Sequence, residues 1–72
     1  MSSPLDTTLP STRLLQHWIR DRQPLELLLI TGETLRATLS WQDPECLCVS
    51  QGDQPQLLWR RAIARIQPLG PG

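Results

Sequence analysis

The 72-residue chain lacks the residues that usually hold so short a protein together through covalent or metal bonds. A chain of this length buries only roughly 60% of the surface that its unfolded form exposes, so its own core gives marginal stability. Its two cysteines, Cys46 and Cys48, are expected to be free thiols on a strand, as in proteins of a reducing compartment. With His17 as the only histidine, a zinc site would lack ligands. We expect no metal and no cofactor, which leaves self-association as the source of added stability.

The sequence also lacks an excess of charge of either sign. Seven basic and seven acidic residues give a formal net charge of +0 at pH 7. This balance argues against a polybasic protein that binds nucleic acid through bulk charge. Any site for an anion must therefore come from local clustering of basic side chains.

Segments that direct a protein to a membrane are missing as well. Residues 1–6 contain neither a basic segment nor an apolar core, and no apolar run approaches the ~20 residues that span a bilayer. We expect a soluble, cytoplasmic protein that does not insert into membranes.

No constellation of residues for catalysis can be found in the sequence. It contains no Ser-His-Asp set, no paired-carboxylate motif and no phosphate-binding loop. His17 falls on the surface of a predicted helix, and Asp43 and Asp53 fall in predicted turns, where aspartate favours the backbone geometry. We predict that the protein is not an enzyme and acts by binding.

One short amphipathic helix is predicted near the N-terminus. Ser11 or Thr12 could cap its first turn, and Pro24 ends it because the residue before a proline favours extended geometry. Apolar residues recur at the spacing of one helical face, at Leu14, Leu15, Trp18 and Ile19. This face must pack against the rest of the domain.

Five strands are predicted after the helix, because the apolar period changes to that of a strand. They cover residues 25–31, 34–42, 45–50, 56–60 and 62–67. In the second strand Ala37, Leu39 and Trp41 share one side. We therefore expect Trp41, like Trp18 of the helix, to pack in the core.

The predicted elements form a single domain, residues 11–68, between a flexible arm of residues 1–10 and a short flexible tail of residues 69–72. One helix followed by five antiparallel strands with tight turns indicates a mainly β fold, a small and strongly bent barrel. Its edge strands would need partners, because unpaired edges promote aggregation.

Several stretches of the sequence resemble the Sm-like family, and within it the bacterial Hfq proteins. Residues 19–24, Ile-Arg-Asp-Arg-Gln-Pro, are similar to the R-x-E-R-x-P segment that closes the Hfq helix. Residues 29–35, with Gly32 in the turn, are similar to the first Hfq hairpin. Residues 59–63, Trp-Arg-Arg-Ala-Ile, stand where Hfq has Tyr-Lys-His-Ala-Ile, and residues 41–43, Trp-Gln-Asp, are most similar to the cyanobacterial branch.

The resemblance implies a homohexameric ring with an Sm-like fold. In such a ring the fourth strand of each subunit pairs with the fifth strand of the next, and the helices cover one face, the proximal face. Trp59, Leu58 and Ile63 would lie at the subunit interface. Closing the ring would pair every edge strand.

The resemblance also assigns RNA-binding residues to the proximal face. Arg60 and Arg61 stand where the Hfq Lys-His pair lines the pore and holds uridines, and Ser11 aligns with a glutamine of the same pocket. Arg20 and Arg22 match the rim arginines of the family's ring, and Arg13, two turns earlier on the same helix, is assigned to the rim with them. The implied function is that of an RNA chaperone, a post-transcriptional regulator that contacts U-rich segments of small RNA and mRNA.

Departures from the Hfq pattern predict weak RNA affinity. The stacking phenylalanine of the family aligns near Glu45 or Cys46, so an aromatic platform for a base is missing. On the distal face, Leu28, Glu33 and Thr34 replace residues that read A-rich RNA in Hfq, which predicts little A-rich binding. The alternative implied by the cyanobacterial branch is a protein-docking ring in motility, whose proximal face binds a partner such as a type IV pilus motor ATPase.

Overall fold

The computed structural model describes residues 8–70 of the chain. Residues 1–7 of the predicted arm and residues 71–72 of the predicted tail lie outside the described residues. The elements in chain order are α1 (Pro10–Asp21), β1 (Pro24–Leu29), β2 (Thr34–Gln42), β3 (Cys46–Gln51), β4 (Gln54–Trp59), a 3₁₀ turn (Arg60–Ala62) and β5 (Ile63–Pro68). This order of one helix and five strands confirms the prediction from the sequence.

Helix α1 begins at Pro10, one residue before the first residue of the predicted domain. Proline suits the first helical position because its φ is already set and it lacks the amide that would have no partner there. Leu9 precedes it as the N-cap in extended conformation (φ −71°, ψ 136°), and its side chain makes no capping hydrogen bond. The prediction that Ser11 or Thr12 caps the helix was therefore wrong, because both residues lie inside the first turn. Thr12 is instead buried.

The helix ends at Arg22, which takes a left-handed conformation (φ 51°) that costs about 1–2 kcal/mol in a residue with a side chain. Its backbone N–H donates to Ile19 O (3.2 Å), and the N–H of Gln23 donates to Trp18 O (3.1 Å). Pro24 then opens β1, as expected from its inability to continue a helix.

The strands form one antiparallel sheet in the order β4-β3-β2-β1-β5. β1 pairs with both β2 and β5, with a shift of register in the second pairing. Gly32 (φ 94°) and Gly52 (φ 59°) provide the left-handed positions of two hairpin turns. β4 and β5 stand at the two ends of the order, so each has one edge that no strand of the described chain pairs.

The core lies between α1 and the sheet. Leu15 is the buried residue that the helix contributes, and Trp18 packs against the same cluster, as predicted. The strands contribute Leu25, Leu27, Ala37, Leu39, Leu47 and Val49. Cys46 and Cys48 are buried free thiols, which confirms that prediction as well.

A β-bulge at Ser40 redirects the residues that follow it. β2 and β3 are in register up to Leu39, and the register resumes at Trp41, so Ser40 has no residue paired with it in the β3 ladder. The extra residue turns Trp41 to the outer side of the sheet, where it is 47% exposed. The prediction that Trp41 packs in the core was therefore wrong. The same bulge turns Gln42 inward, beneath the helix.

Candidate functional site

The turn between β4 and β5 carries the two arginines that the sequence predicts at the pore. A hydrogen bond from the backbone N–H of Ile30 to Ala62 O (2.9 Å) fastens this turn to the end of β1. Arg61 is exposed, and its guanidinium makes no hydrogen bond or ion pair with any residue in the range 8–70. All five of its N–H donors are therefore available to a ligand.

Arg60 lies in the same turn but is half-buried and already bonded. Its Nε donates to Asp43 O (2.8 Å) and its Nη2 donates to Gln42 Oε1 (2.7 Å). Its backbone N–H donates to Glu45 O (2.9 Å). These bonds fasten the turn to the loop between β2 and β3. The structure thus gives different surroundings to two arginines that the sequence presents as a pair.

Gln42 connects the same loop to the helix. Its Nε2 donates to Gln16 Oε1 (2.8 Å) and to Thr12 O (3.3 Å), while its Oε1 accepts the bond from Arg60. Both sides of the amide are therefore used. Sequence reasoning missed Gln42, because strict alternation along β2 places it on the polar side of the strand.

A groove of about 310 Å³ runs between α1 and β5. Ser11 and Arg60 both line it, whereas Arg61 does not. Most of its other walls are apolar and come from Leu14, Leu15, Trp18, Leu47, Ile63 and Ile66. The structure therefore brings two of the three predicted pore residues together and places the third outside this groove.

Asp43 organises the loop that receives Arg60. Its Oδ1 accepts hydrogen bonds from the backbone N–H groups of Glu45 (2.9 Å) and Cys46 (2.8 Å), as predicted for an aspartate in a turn. These bonds, together with the nearby charge of Arg60, hold the pKa of Asp43 below its usual value of 3.8.

Burial and the hydrogen bond to Asp43 raise the pKa of the Cys46 thiol above 9.0, so this thiol stays protonated and unreactive at neutral pH.

The lowered pKa of Asp43 predicts acid sensitivity. A carboxylate whose pKa is lower in the folded state stabilises the fold above its unfolded-state pKa of 3.8, and this contribution disappears as the pH falls through the folded-state value. We expect the free energy of unfolding to decrease more steeply below about pH 4 in the wild type than in Asp43→Asn. Urea unfolding at a series of pH values between 7 and 3 measures the difference. Equal pH dependence of the two proteins would contradict the role of Asp43.

The predicted rim arginines lie along the helix and are exposed. Arg20 and Arg22 line a groove of about 620 Å³ whose far wall includes Ser40 and Ser50 of the β2–β3 hairpin. Arg13 and Arg20 line a second groove on the helix surface. None of the three guanidiniums forms an ion pair within the described residues, and the carboxylate of Asp21 at the helix end lies 3.0 Å from His17 Nε2. Both grooves are therefore open to an anion.

The predicted interface residues differ in their surroundings. Leu58 and Ile63 pack against the core of their own subunit, whereas Trp59 is 51% exposed. Leu57, which the sequence did not single out, is 55% exposed on the same side of β4 as Trp59. Together with Trp41 they form an apolar surface beside the free edge of β4. This surface was missed because the bulge that exposes Trp41 has no signal in the sequence.

No three His, Cys, Asp or Glu side chains in residues 8–70 come close enough together to hold a metal ion. No helix of that range is long and apolar enough to cross a membrane.

Comparison with known proteins assigns the family. A sequence model of a family described as Hfq related matches residues 9–68, which is most of the chain. The chain belongs to the Hfq family. It is 33% identical over 66 residues to the RNA-binding protein Hfq of Caulobacter sp. (strain K31), a match that covers 92% of this chain and 73% of that protein. It is 32% identical over 57 residues to the RNA-binding protein Hfq of Ruegeria sp. (strain TM1040), covering 79% and 72% of the two chains.

Solved Hfq structures confirm the predicted Sm-like fold. An Hfq protein from Anabaena sp. superposes with a TM-score of 0.78 at 41% sequence identity, covering 85% of this chain and 98% of that chain. A second Hfq structure, described as a pleiotropic translational regulator, superposes with a TM-score of 0.81 at 9% identity, covering 90% and 98%. The second likeness bears on the fold alone.

Proposed function

We propose that this Hfq-family chain forms an RNA-binding ring that contacts U-rich RNA through Arg61. Ser11 lies at the adjacent groove, and the rim arginines Arg13, Arg20 and Arg22 assist along the helix. The observation that carries the proposal is the exposed, unpaired guanidinium of Arg61, on a turn between the two strands whose edges are free. The ring acts by binding and needs neither a cofactor nor a reaction.

The free edges of β4 and β5 support assembly into a ring. Each edge offers a row of unpaired backbone N–H and C=O groups, and head-to-tail pairing of one subunit's β4 with the next subunit's β5 satisfies all of them when the ring closes. The apolar surface of Trp41, Leu57 and Trp59 lies beside that edge and would be covered in part. Leu58 and Ile63 would contribute to the interface mainly through their backbones. Family resemblance favours six subunits.

Ring closure explains how a chain of zero net charge binds a polyanion. Because Arg61 lies between β4 and β5, a closed ring repeats it at every subunit boundary around one pore. Charges of one sign that line a confined opening reinforce each other, so the local potential is strongly positive even though the total charge is not. Arginine also binds phosphate through two parallel hydrogen bonds and stacks on bases.

The affinity is expected to be modest, and the distal face is expected to contribute little. Glu45 is exposed and Cys46 buried at the place where the family has a stacking aromatic, so neither offers a platform for a base. On the other face, Glu33 is exposed in the turn between β1 and β2, and its carboxylate opposes a phosphate backbone. A U-rich strand is therefore bound mainly by charge and by arginine.

Fluorescence anisotropy of a short U-rich RNA with the assembled ring, over a series of salt concentrations, tests the proposal. We expect Arg61→Gln to weaken binding by at least about tenfold, because a hydrogen bond to a charged group contributes roughly 1.5–3 kcal/mol. The slope of log K against log salt should also decrease by about 0.7 for each phosphate that the ring no longer neutralises.

Arg36→Gln is the matched control, because Arg36 is an exposed arginine outside the proposed site and its removal changes the net charge equally. Its effect on the affinity should be small. An A-rich RNA of the same length should bind more weakly than the U-rich RNA. If the intact wild-type ring binds neither RNA, the proposed function is wrong and a ring that docks a protein partner becomes the better explanation.

A further inference from the structure

The turn between β4 and β5, called the pore turn below, contains Arg60 and Arg61. Only the guanidinium of Arg60 is hydrogen-bonded to other residues of the described chain. The edge formed by Nε and Nη2, which is one of the two forks that could grip a phosphate, is occupied by Asp43 O and Gln42 Oε1. Both bonds are short, at 2.8 and 2.7 Å, and the residue is half-buried. Arg61, next to it, makes no such contact within residues 8–70.

The bonds of Arg60 join parts of the chain that are far apart in sequence. Asp43, in the loop between β2 and β3, and Gln42, the last residue of β2, lie 17 and 18 residues before it. Gln42 in turn donates to Gln16 and to Thr12 O, 26 and 30 residues earlier in the helix. A continuous set of hydrogen bonds therefore runs from the first turns of α1, through this loop, to the turn that carries Arg61.

A charge effect accompanies these bonds. The charge of Arg60 is one of the smaller causes of the lowered pKa of Asp43, and the two side chains form no ion pair. Arg61 likewise has no ion pair within the described residues, so the two arginines differ in their hydrogen bonds.

From these contacts we infer that Arg60 is a positioning residue for RNA binding rather than a contact to RNA. Through Gln42 and Asp43 it holds the turn against the helix, and so fixes the direction in which Arg61 meets the phosphate backbone. Each subunit then supplies one free pore arginine instead of two. The part of this inference that concerns RNA rests on the proposed function, whereas the occupied state of Arg60 does not.

The occupied state can be tested on the free ring without RNA. In ¹⁵N spectra of the arginine side chains, we expect the Nε–H of Arg60 to exchange slowly with solvent and that of Arg61 to exchange rapidly. Gln42→Leu removes the amide that accepts from Nη2 without changing any charge, and it should accelerate exchange at Arg60 alone. Equally rapid exchange at Arg60 and Arg61 in the wild type would overturn the inference.

RNA binding by assembled rings then separates positioning from contact. We expect Arg60→Gln and Gln42→Leu each to lower the affinity for U-rich RNA while the salt slope stays that of the wild type. Arg61→Gln should lower the slope by about 0.7 for each phosphate that is no longer neutralised. A residue that only stabilises the fold would change neither quantity in rings whose assembly has been verified by sedimentation.

The double variant Arg60→Gln/Gln42→Leu completes the test. If the two residues act through one set of bonds, it should bind RNA no more weakly than Arg60→Gln alone. A salt slope for Arg60→Gln that falls as far as that for Arg61→Gln would mean that Arg60 contacts phosphate and that the inference is wrong. Absence of RNA binding by the wild type would instead remove the proposed function, and the exchange of Arg60 Nε–H would still decide whether this arginine is committed to the protein.

Discussion

Replacing Leu57 by proline is expected to convert the ring into monomers. Proline removes one backbone donor from β4, and its side-chain ring projects from the strand edge where a neighbouring β5 would pair. A donor lost and a bulky ring added in the middle of the edge, rather than at the start of β4 where Pro55 already lies, should interrupt the ladder with β5. Because symmetry repeats the defect at every interface, the ring should fail to close at any boundary.

The hydrogen bonding of β4 indicates why Leu57 is the right position. The N–H of Arg60 points toward β3, since it donates to Glu45 O. Backbone groups alternate in direction along a strand, and the β3–β4 register is continuous, so the N–H of Leu58 also points toward β3 and that of Leu57 points to the free edge. Pro55, two residues earlier, is also at a position whose backbone nitrogen points to the free edge, where its missing N–H leaves the bonds to β3 unaffected. Proline at position 57 therefore leaves the ladder with β3 intact.

Sedimentation equilibrium measures the outcome directly. Leu57→Pro should sediment as a species near the 8.2 kDa of the single chain, and the wild type at about six times that mass. Leu57→Thr is the control, because it removes the apolar side chain and keeps the N–H in a residue that favours strands. A ring that survives Leu57→Pro would exclude β4 as an interface edge. Dissociation by Leu57→Thr as well would mean that the side chain, rather than the backbone, holds the subunits together.

Most of the fold follows from periodicity, and the main error shows where periodicity ends. Alternation along β2 predicts correctly that Ala37 and Leu39 are buried. It fails at Trp41 because Ser40 has no paired residue in β3, so the residues after it face the opposite side of the sheet from the one that alternation predicts. An alternating pattern of apolar and polar residues carries no information about one extra residue, since the bulge arises from how β2 and β3 are paired in space.

The pore turn illustrates a second limit. The sequence shows that Arg60 and Arg61 are adjacent and cationic, and the resemblance to Hfq implies that both bind RNA. Which of them has free donors depends on carbonyl and amide groups that the fold brings close from 17 and 18 residues away. A rule based on the spacing of residues along the sequence cannot predict such long-range contacts. The place of the two arginines in one turn was therefore predictable from the sequence, but their different surroundings were not.

Leu27→Ala is expected to destabilise the fold more than any other substitution proposed for this chain. Leu27 is fully buried at the centre of β1, in register with Leu35 of β2 and Ile66 of β5. Truncating a buried leucine costs roughly 2–5 kcal/mol, because apolar packing is removed and the neighbours fill the resulting cavity only in part. At 0.05–0.15 kcal/mol per residue, a chain of this length has about 4–11 kcal/mol in total. The substitution is therefore expected to remove a large fraction of the free energy of unfolding.

Thermal unfolding at several protein concentrations measures this effect and tests the coupling between folding and assembly. We expect the midpoint to fall by about 8–40 °C in Leu27→Ala, from a cost of roughly 2–5 kcal/mol at roughly 4–8 °C for each kcal/mol in a domain of this size. Ile30→Ala is the control, because Ile30 is 67% exposed and its side chain mostly faces water. Since a subunit that is folded only in the ring gains stability by mass action, the midpoint of both variants should rise with concentration. A midpoint of Leu27→Ala that is independent of concentration would mean that the isolated barrel is stable without its neighbours, and that the ring exists for binding rather than for folding.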